Sequence, residues 1–407
     1  MSIKDKFLRY VSFDTQSNPH SDTYPSTEKQ KELGAALVKE LHDLGIKNAY
    51  MDEYSYVYAT IDGSPGHKDK AIGLIAHLDT ATEMSGANVN ARVIENYQGD
   101  DLVLNEALNI ILSPSVFPAL KDCIGHDLVV TDGTTLLGAD DKAGIAIIME
   151  LVEFIVKNPN FKHPTIRIAF TPDEEIGRGT DKFNVDDFKV DFAYTLDGGK
   201  NDTINFENFN AASAEVVING KSIHPGTAKN KMINSMLVAF EFHQMLPVFK
   251  NPAYTEKYEG FNHITEINGS VNQTKMEYII RNHDSEEFKI QKQEFERIAE
   301  YLNDKYGENT IKLTITDSYY NMRDLVIKKP EILKIAEKAI KKIGLEPKFE
   351  PIRGGTDGAL LSHKGIICPN LGTGGGNFHG AYEYASLTDM NKMVEILKLI
   401  LTDLISL

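Results

Sequence analysis

The chain has no tryptophan and only two cysteines, Cys123 and Cys368, in 407 residues. Two cysteines cannot build a disulfide framework or a cysteine-rich zinc site, so both read as small packed side chains. Positive charge is also scarce. Lys and Arg number 43 against 59 Asp and Glu, a formal net charge of −16. Nucleic acids and anionic membranes need a basic face, so neither is an expected partner. No apolar run approaches the ~20 residues of a membrane-spanning helix. The opening MSIKDKFLRYVSFDTQ lacks the apolar core of a secretory signal, and the expected address is the cytoplasm. There is no HExxH helix, which excludes the motif of a mononuclear zinc protease. Residues 220–222 read Gly-Lys-Ser, but position 215 is Glu where a phosphate-binding loop needs glycine.

What remains is an ordinary globular composition, 42% hydrophobic and 25% charged. The length exceeds what one core usually serves, so two domains are expected. Helical spacing marks Lys4 to Val11 and Thr27 to Leu44, the latter through Leu33, Ala36, Leu37 and Leu41. AIGLIAHLDT, TIRIAFTPDEE and FAYTLDGG each pair a short apolar run with a polar end, the pattern of buried strands. KAGIAIIMELVEFIVKNP lies between the first two and reads as a helix. Strands alternating with helices indicate an α/β sheet with helices packed on it. Residues 83–131 lack clear periodicity and read as β-rich excursions from that sheet.

Near residue 210 the texture changes. Strand 212–219, helix 230–245, strands 263–269 and 274–282, helix 285–305 and strand 310–317 follow in the β-α-β-β-α-β order of a ferredoxin-like unit. The α/β texture then resumes with helix 330–343, the loop PIRGGTDG, helix 357–363, strand GIICPN, a glycine-rich loop and a closing helix at 388–404. The expected architecture is a discontinuous α/β domain over 1–208 and 321–407, carrying an inserted ferredoxin-like α+β domain over 209–320.

All three apolar strands of the first domain end in His, Asp or Glu, and ligands of such sheets bind beyond the carboxyl ends of the strands. The residues in order are His77 and Asp79, Asp140 and Asp141, Glu174 and Glu175, Asp197, and later His379. Imidazole with carboxylate suits zinc, with cobalt or manganese as alternatives. Positions 77 and 79 of a strand point the same way, so Asp79 is placed to orient the His77 ring. Each pair alone has a plainer reading as a strand end, helix cap or acidic turn. Together they point to a two-metal hydrolase, although spacing alone does not say which carboxylate bridges.

AHLDT, LLGADDKAGIA, TPDEEIGRG, YTLDGG, GKSIHPGTAKN, PIRGGTDG and NLGTGGGNFHG resemble the di-zinc aminoacylase, glutamate carboxypeptidase and desuccinylase family. More closely they resemble its peptidase T branch, the tripeptide aminopeptidases. The resemblance implies a mixed sheet with helices on both faces and a ferredoxin-like lid of the type that mediates dimers. It implies two Zn2+ held by His77, Asp140, Glu175, Asp197 and His379, with Asp140 bridging, His77 and Asp197 on one side, and Glu175 and His379 on the other. Asp79 would orient His77. Glu174 would be the general base, and His224 in the lid would bind the oxyanion. A cis peptide is expected after the bridging Asp140. Short peptides are the implied substrates, and the chain would be a monomer or homodimer. Arg281 and Arg353 suit the substrate carboxylate because guanidinium pairs with it bidentately. Asn377 would reach substrate from the glycine-rich loop. The group that receives the peptide's free amino terminus is not visible in the sequence, beyond an expectation of an acidic side chain within 83–131. A carboxypeptidase, dipeptidase or N-acyl-amino-acid hydrolase would use the same metal site. A non-catalytic peptide-binding protein would lack the base or a ligand, and none is missing.

Overall fold

The computed structural model describes residues 1–406. The chain divides into two compact units. One comprises 1–206, 324–350 and 356–406, and the other comprises 207–323 with 351–355. Pro351–Gly355, within PIRGGTDG, therefore groups with the second unit.

The first unit is built on an eight-stranded mixed sheet. Its order is Tyr50–Met51, Val57–Ile61, Thr165–Thr171, Ala71–His77, Phe192–Gly198, Asn370–Gly372, Thr203–Asn205, Lys348–Phe349. The four central strands, 165–171, 71–77, 192–198 and 370–372, run parallel. Their registers pair His77 with Thr171 and Ile75 with Thr195, which brings the polar strand ends to one edge. The middles of these strands are mostly apolar because both faces are covered. The helix Ala139–Lys157 packs on strands 71–77 and 192–198. Leu361 of the helix Asp357–His363 packs with Phe183 and Phe188 on the face bearing Ile75, Ala169 and Ala193.

Residues 83–131 do form short strands away from the main sheet. Arg92–Ile94 and Leu128–Val130 join Tyr384–Ser386 and Gly375–Gly376 in a four-stranded sheet, and Leu102–Asn105 pairs with Ile110–Leu112. The glycine-rich loop is thereby a hairpin, closed where Gly375 and Gly376 pair with Ala385 and Tyr384.

The second unit has the β-α-β-β-α-β order. Its antiparallel sheet runs Phe261–Gly269, Gln273–Asn282, Asn210–Asn219, Ile311–Tyr319. Alternate residues Ala212, Ala214, Val216 and Ile218 face Phe242, Phe288, Phe295 and Leu302 of its two helices.

Several boundaries shift by a few residues from expectation, such as the helix expected from Thr27, which begins at Gln30. Two of the shifts have a clear local cause. The helix expected from 230 begins at Ser235, because the Asn234 side chain accepts the Met236 N–H and caps it there. The strand expected at GIICPN is assigned at Asn370–Gly372. Ile367 and Pro369 accept from Ala193 and Thr195 at 2.9 and 3.2 Å, but Pro369 has no N–H to return.

Candidate active site

The strand Ala71–His77 delivers His77, almost fully buried, to the carboxyl edge of the sheet. His77 Nε2 lies 2.8 Å from Asp140 Oδ1 and 3.7 Å from Asp197 Oδ1. Asp197 comes from the next strand, Phe192–Gly198. The other oxygen of Asp140 lies 3.4 Å from His379 Nε2, which is also 3.1 Å from Glu175 Oε2. Two ligand groups result, His77 with Asp140 and Asp197, and Asp140 with Glu175 and His379. They share Asp140. In each group the ligand atoms lie within 4.8 Å of one another.

Neighbouring residues hold these side chains in place. The peptide between Asp140 and Asp141 is cis. The buried Asp141 carboxylate accepts the N–H of His77 and of Gly144, both at 3.2 Å. Asp79, fully buried, accepts the Glu174 N–H at Oδ1 and the Glu175 N–H at Oδ2, at 2.9 and 3.1 Å. The His77 ring meets the Asp79 backbone carbonyl at 3.0 Å, and the Asp79 carboxylate only at 3.4 Å. Asp79 thus fixes the short 3-10 turn bearing Glu174 and Glu175 as well as flanking His77.

Three supporting carboxylates escaped the sequence reading. Asp173, in the left-handed region at φ 60°, is buried and accepts from Ser26 and Gln30. Glu383 accepts the N–H groups of Leu137, Gly138 and Asp140 at 2.7 to 3.1 Å, tying the His379 hairpin to the Asp140 loop. Asp357 lies within the motif PIRGGTDG, is 2% exposed, and has the Thr171 side chain beside its carboxylate. Its position in that motif was the available signal. The Asp173 and Glu383 contacts join distant segments and leave none.

Electrostatics reflect the crowding. Burial, reinforced by Asp197, holds Glu174 well above the ordinary carboxyl range. Burial and Asp140 push Glu175 up to about 8, and the same two causes push Asp197 to about 6. Burial would lower His77, but hydrogen bonds to Asp140, Asp197 and Asp79 outweigh it and raise it. Asp140 and Glu175 raise His379 to about 11. Repelling carboxylates, two imidazoles and the partnerless buried Glu175 Oε1 fit a pair of divalent cations.

Residues 128–403 match the sequence model of Peptidase family M20/M25/M40. A curated Peptidase T from Halothermothrix orenii is 52% identical over 395 residues, 97% of each chain. The chain belongs to this peptidase family, in its peptidase T branch. The M20 fold is shared with a tripeptidase from Staphylococcus aureus, at a TM-score of 0.78, 22% identity and coverage of 100% of this chain and 98% of that one. It is also shared with a structure described as a dinuclear metal binding peptidase of the M20 family from Bacillus subtilis. There the TM-score is 0.67, the identity 15%, and the coverage 99% and 98%.

The remaining expected site residues are distributed as follows. In this M20 peptidase Asn377 lies on the His379 hairpin at φ 55°, with Nδ2 donating to the Tyr382 carbonyl at 3.2 Å. His224, Arg281 and Arg353 belong to the second unit. His224 is exposed and its Nδ1 accepts the Gly226 N–H. Arg353 donates to the carbonyls of Thr255, Lys257 and Glu259 and to the Thr255 hydroxyl, and stacks on Phe209. It therefore braces the 255–259 loop. Arg281 lies over the Tyr319 ring and makes one long contact, 3.4 Å to the Ile280 carbonyl.

Proposed function

We propose that this peptidase is a zinc-dependent tripeptide aminopeptidase that releases the N-terminal residue of short unblocked peptides. The observation that carries the reading is a pair of ligand groups sharing Asp140, with Glu174 on the adjoining turn. The extent of identity to a curated Peptidase T supports the substrate class. The description of the Bacillus subtilis structure supports two metal ions.

His77, Asp140 and Asp197 would hold one ion, and Asp140, Glu175 and His379 the other. When bound, such ions polarise a carbonyl and acidify water. Glu174 accepts the proton of the attacking water and returns it to the leaving amine. Its raised affinity for a proton suits both transfers, since the group must bind and release within one turnover. Asp79 positions Glu174 through the turn amide. Arg353 and Asn377 hold their own loops. The net charge of −16 and two buried free cysteines fit a reducing cytoplasm. No helix among the described residues is long and apolar enough to cross a membrane.

The test offers zinc-loaded protein an unblocked tripeptide and its N-acetylated twin, with and without chelator. Release of the first residue from the unblocked peptide alone, abolished by chelator, is the expected outcome. Cleavage of the blocked peptide would move the activity to the carboxypeptidase or acylase class.

A further inference from the structure

An aminopeptidase must recognise a terminal ammonium, and that cation has to sit one bond from the carbon bearing the scissile carbonyl. A carboxylate that receives it must be close to the ligand cluster, accessible from solvent, and uncommitted. Most carboxylates around the cluster fail the last condition. Asp79, Asp141 and Glu383 are bound to backbone amides, and Asp140, Glu175 and Asp197 form the ligand groups.

Glu83 meets all three conditions. Its Oε1 lies 3.4 Å from His379 Nδ1, the ring nitrogen opposite the one that meets Asp140 and Glu175. That is longer than a well-formed hydrogen bond, and the Glu83 side chain is 61% exposed. It is therefore a weak restraint on His379 and an open acceptor. The backbone that carries it is firmly held. Gln16 Nε2 donates to the carbonyls of Ala81 and Met84, each at 3.0 Å, bracketing Glu83 on both sides. The Ser85 carbonyl accepts the Leu136 N–H at 3.1 Å, joining the loop to the segment that leads into Asp140. An exposed acid is usually mobile. Here the loop is pinned on both flanks and its side chain rests at the rim of the ligand cluster.

We propose that Glu83 is the acceptor for the terminal ammonium of the peptide substrate, an inference that rests on the aminopeptidase reading above. An ammonium offers three donors, and a charge-assisted pair with Glu83 leaves donors for water or carbonyls. A peptide without that charge loses the pair, so Glu83 would set the preference for unblocked substrates.

The experiment compares wild type with Glu83→Gln on an unblocked tripeptide and on an analogue in which hydrogen replaces the α-amino group. KM, kcat and bound zinc are measured for both proteins. A hydrogen bond to a charged group corresponds to about a 10- to 100-fold effect. Glu83→Gln should raise KM for the tripeptide by that factor, keep wild-type zinc content, and leave the analogue unaffected. An unchanged KM would overturn the proposal. So would a raised KM accompanied by loss of zinc, because Glu83 would then act on His379. A wild-type protein that neither binds nor cleaves the tripeptide would overturn the aminopeptidase reading first and this inference with it.

Discussion

Asp79 and Glu174 are joined by a hydrogen bond from the Glu174 N–H to Asp79 Oδ1, 2.9 Å long and buried on the carboxylate side. The second Asp79 oxygen does the same for Glu175. One side chain thus sets the direction of the proposed base and of a proposed metal ligand, because both emerge from the turn it caps. Asp79 comes from the end of one central strand and the turn follows its neighbour, so the parallel register of His77 with Thr171 makes the contact possible.

Asp79→Ala should therefore damage activity and metal binding together. It leaves two amides without acceptors and frees the turn that aims Glu174. Partners of this kind typically account for 10- to 100-fold in metal affinity or activity. Asp79→Asn keeps one oxygen acceptor and should lose less. Zinc titration and steady-state kinetics on both variants check the order. An Asp79→Ala protein with wild-type kcat and zinc affinity would remove the turn from the mechanism.

Gly144 lies where the helix Ala139–Lys157 approaches the Asp197 strand. A Cβ there would fall 2.0 Å from the Leu196 carbonyl oxygen and 2.5 Å from Asp141 Oδ1. On an exposed helix, Gly→Ala stabilises by about 1 kcal/mol. Here the clash is with backbone, which cannot rotate away, and the sign reverses. Gly144→Ala should destabilise by about 1–3 kcal/mol. Zinc affinity should fall as well, because Asp141 and the Asp197 strand are what the methyl displaces. Denaturant midpoints with excess chelator separate the packing loss from the lost metal.

Strand ends made His77, Glu174, Glu175 and Asp197 legible as candidates, because a buried apolar run that stops at a polar residue sets that side chain at the carboxyl edge of the sheet. The alternation Ala212, Ala214, Val216, Ile218 did the same for the second unit. The choice of five ligands, with Asp140 and His379 among them, came from the family resemblance. What escaped was non-local. Nothing near Asp173 announces Ser26 and Gln30, nearly 150 residues earlier, as its donors. Glu383 reads as one acid among many until three amides from 137–140 are found on it. Arg353 shows the converse. A motif arginine suited to a substrate carboxylate has most of its donors on carbonyls of its own unit. Composition cannot distinguish an arginine that waits for a ligand from one that holds a loop.

Glu153 links stability to pH away from the active site. Burial would raise its carboxyl, but hydrogen bonds from Lys157 and Lys6 outweigh it and hold it at about 2. Lys6 is fully buried and contacts both Glu150 and Glu153. The unfolded carboxyl takes a proton near its ordinary 4.5, well before the folded one. The stabilisation is thus complete above that value and is lost as pH falls from about 4.5 towards 2. Glu153→Gln should cost about 1–3 kcal/mol at pH 7, with Glu150 still balancing Lys6. The gap to wild type should narrow at pH 3. Equal gaps in urea midpoints at the two pH values would show that packing, not charge, is responsible.

Metal loading should release protons. His379, raised to about 11 between Asp140 and Glu175, is an imidazolium at neutral pH when no ion is bound. A metal ligand must be a neutral imidazole, so the ion has to displace that proton. Glu175, raised to about 8, shares the same neighbourhood and adds to the release below that pH. Affinity should therefore climb with pH between 6 and 9, by about tenfold per unit for each proton displaced. Calorimetric titration of zinc into chelator-stripped protein, in two buffers of different ionisation heat, counts those protons. At least one is expected at pH 7. The loaded protein should also outlast the stripped one in denaturant, by about 2.7 kcal/mol when free zinc is a hundredfold above Kd. Zinc uptake without proton release would mean that His379 enters the site already neutral. The carboxylates would then be fewer or farther from the ring than the 3.1 and 3.4 Å separations imply.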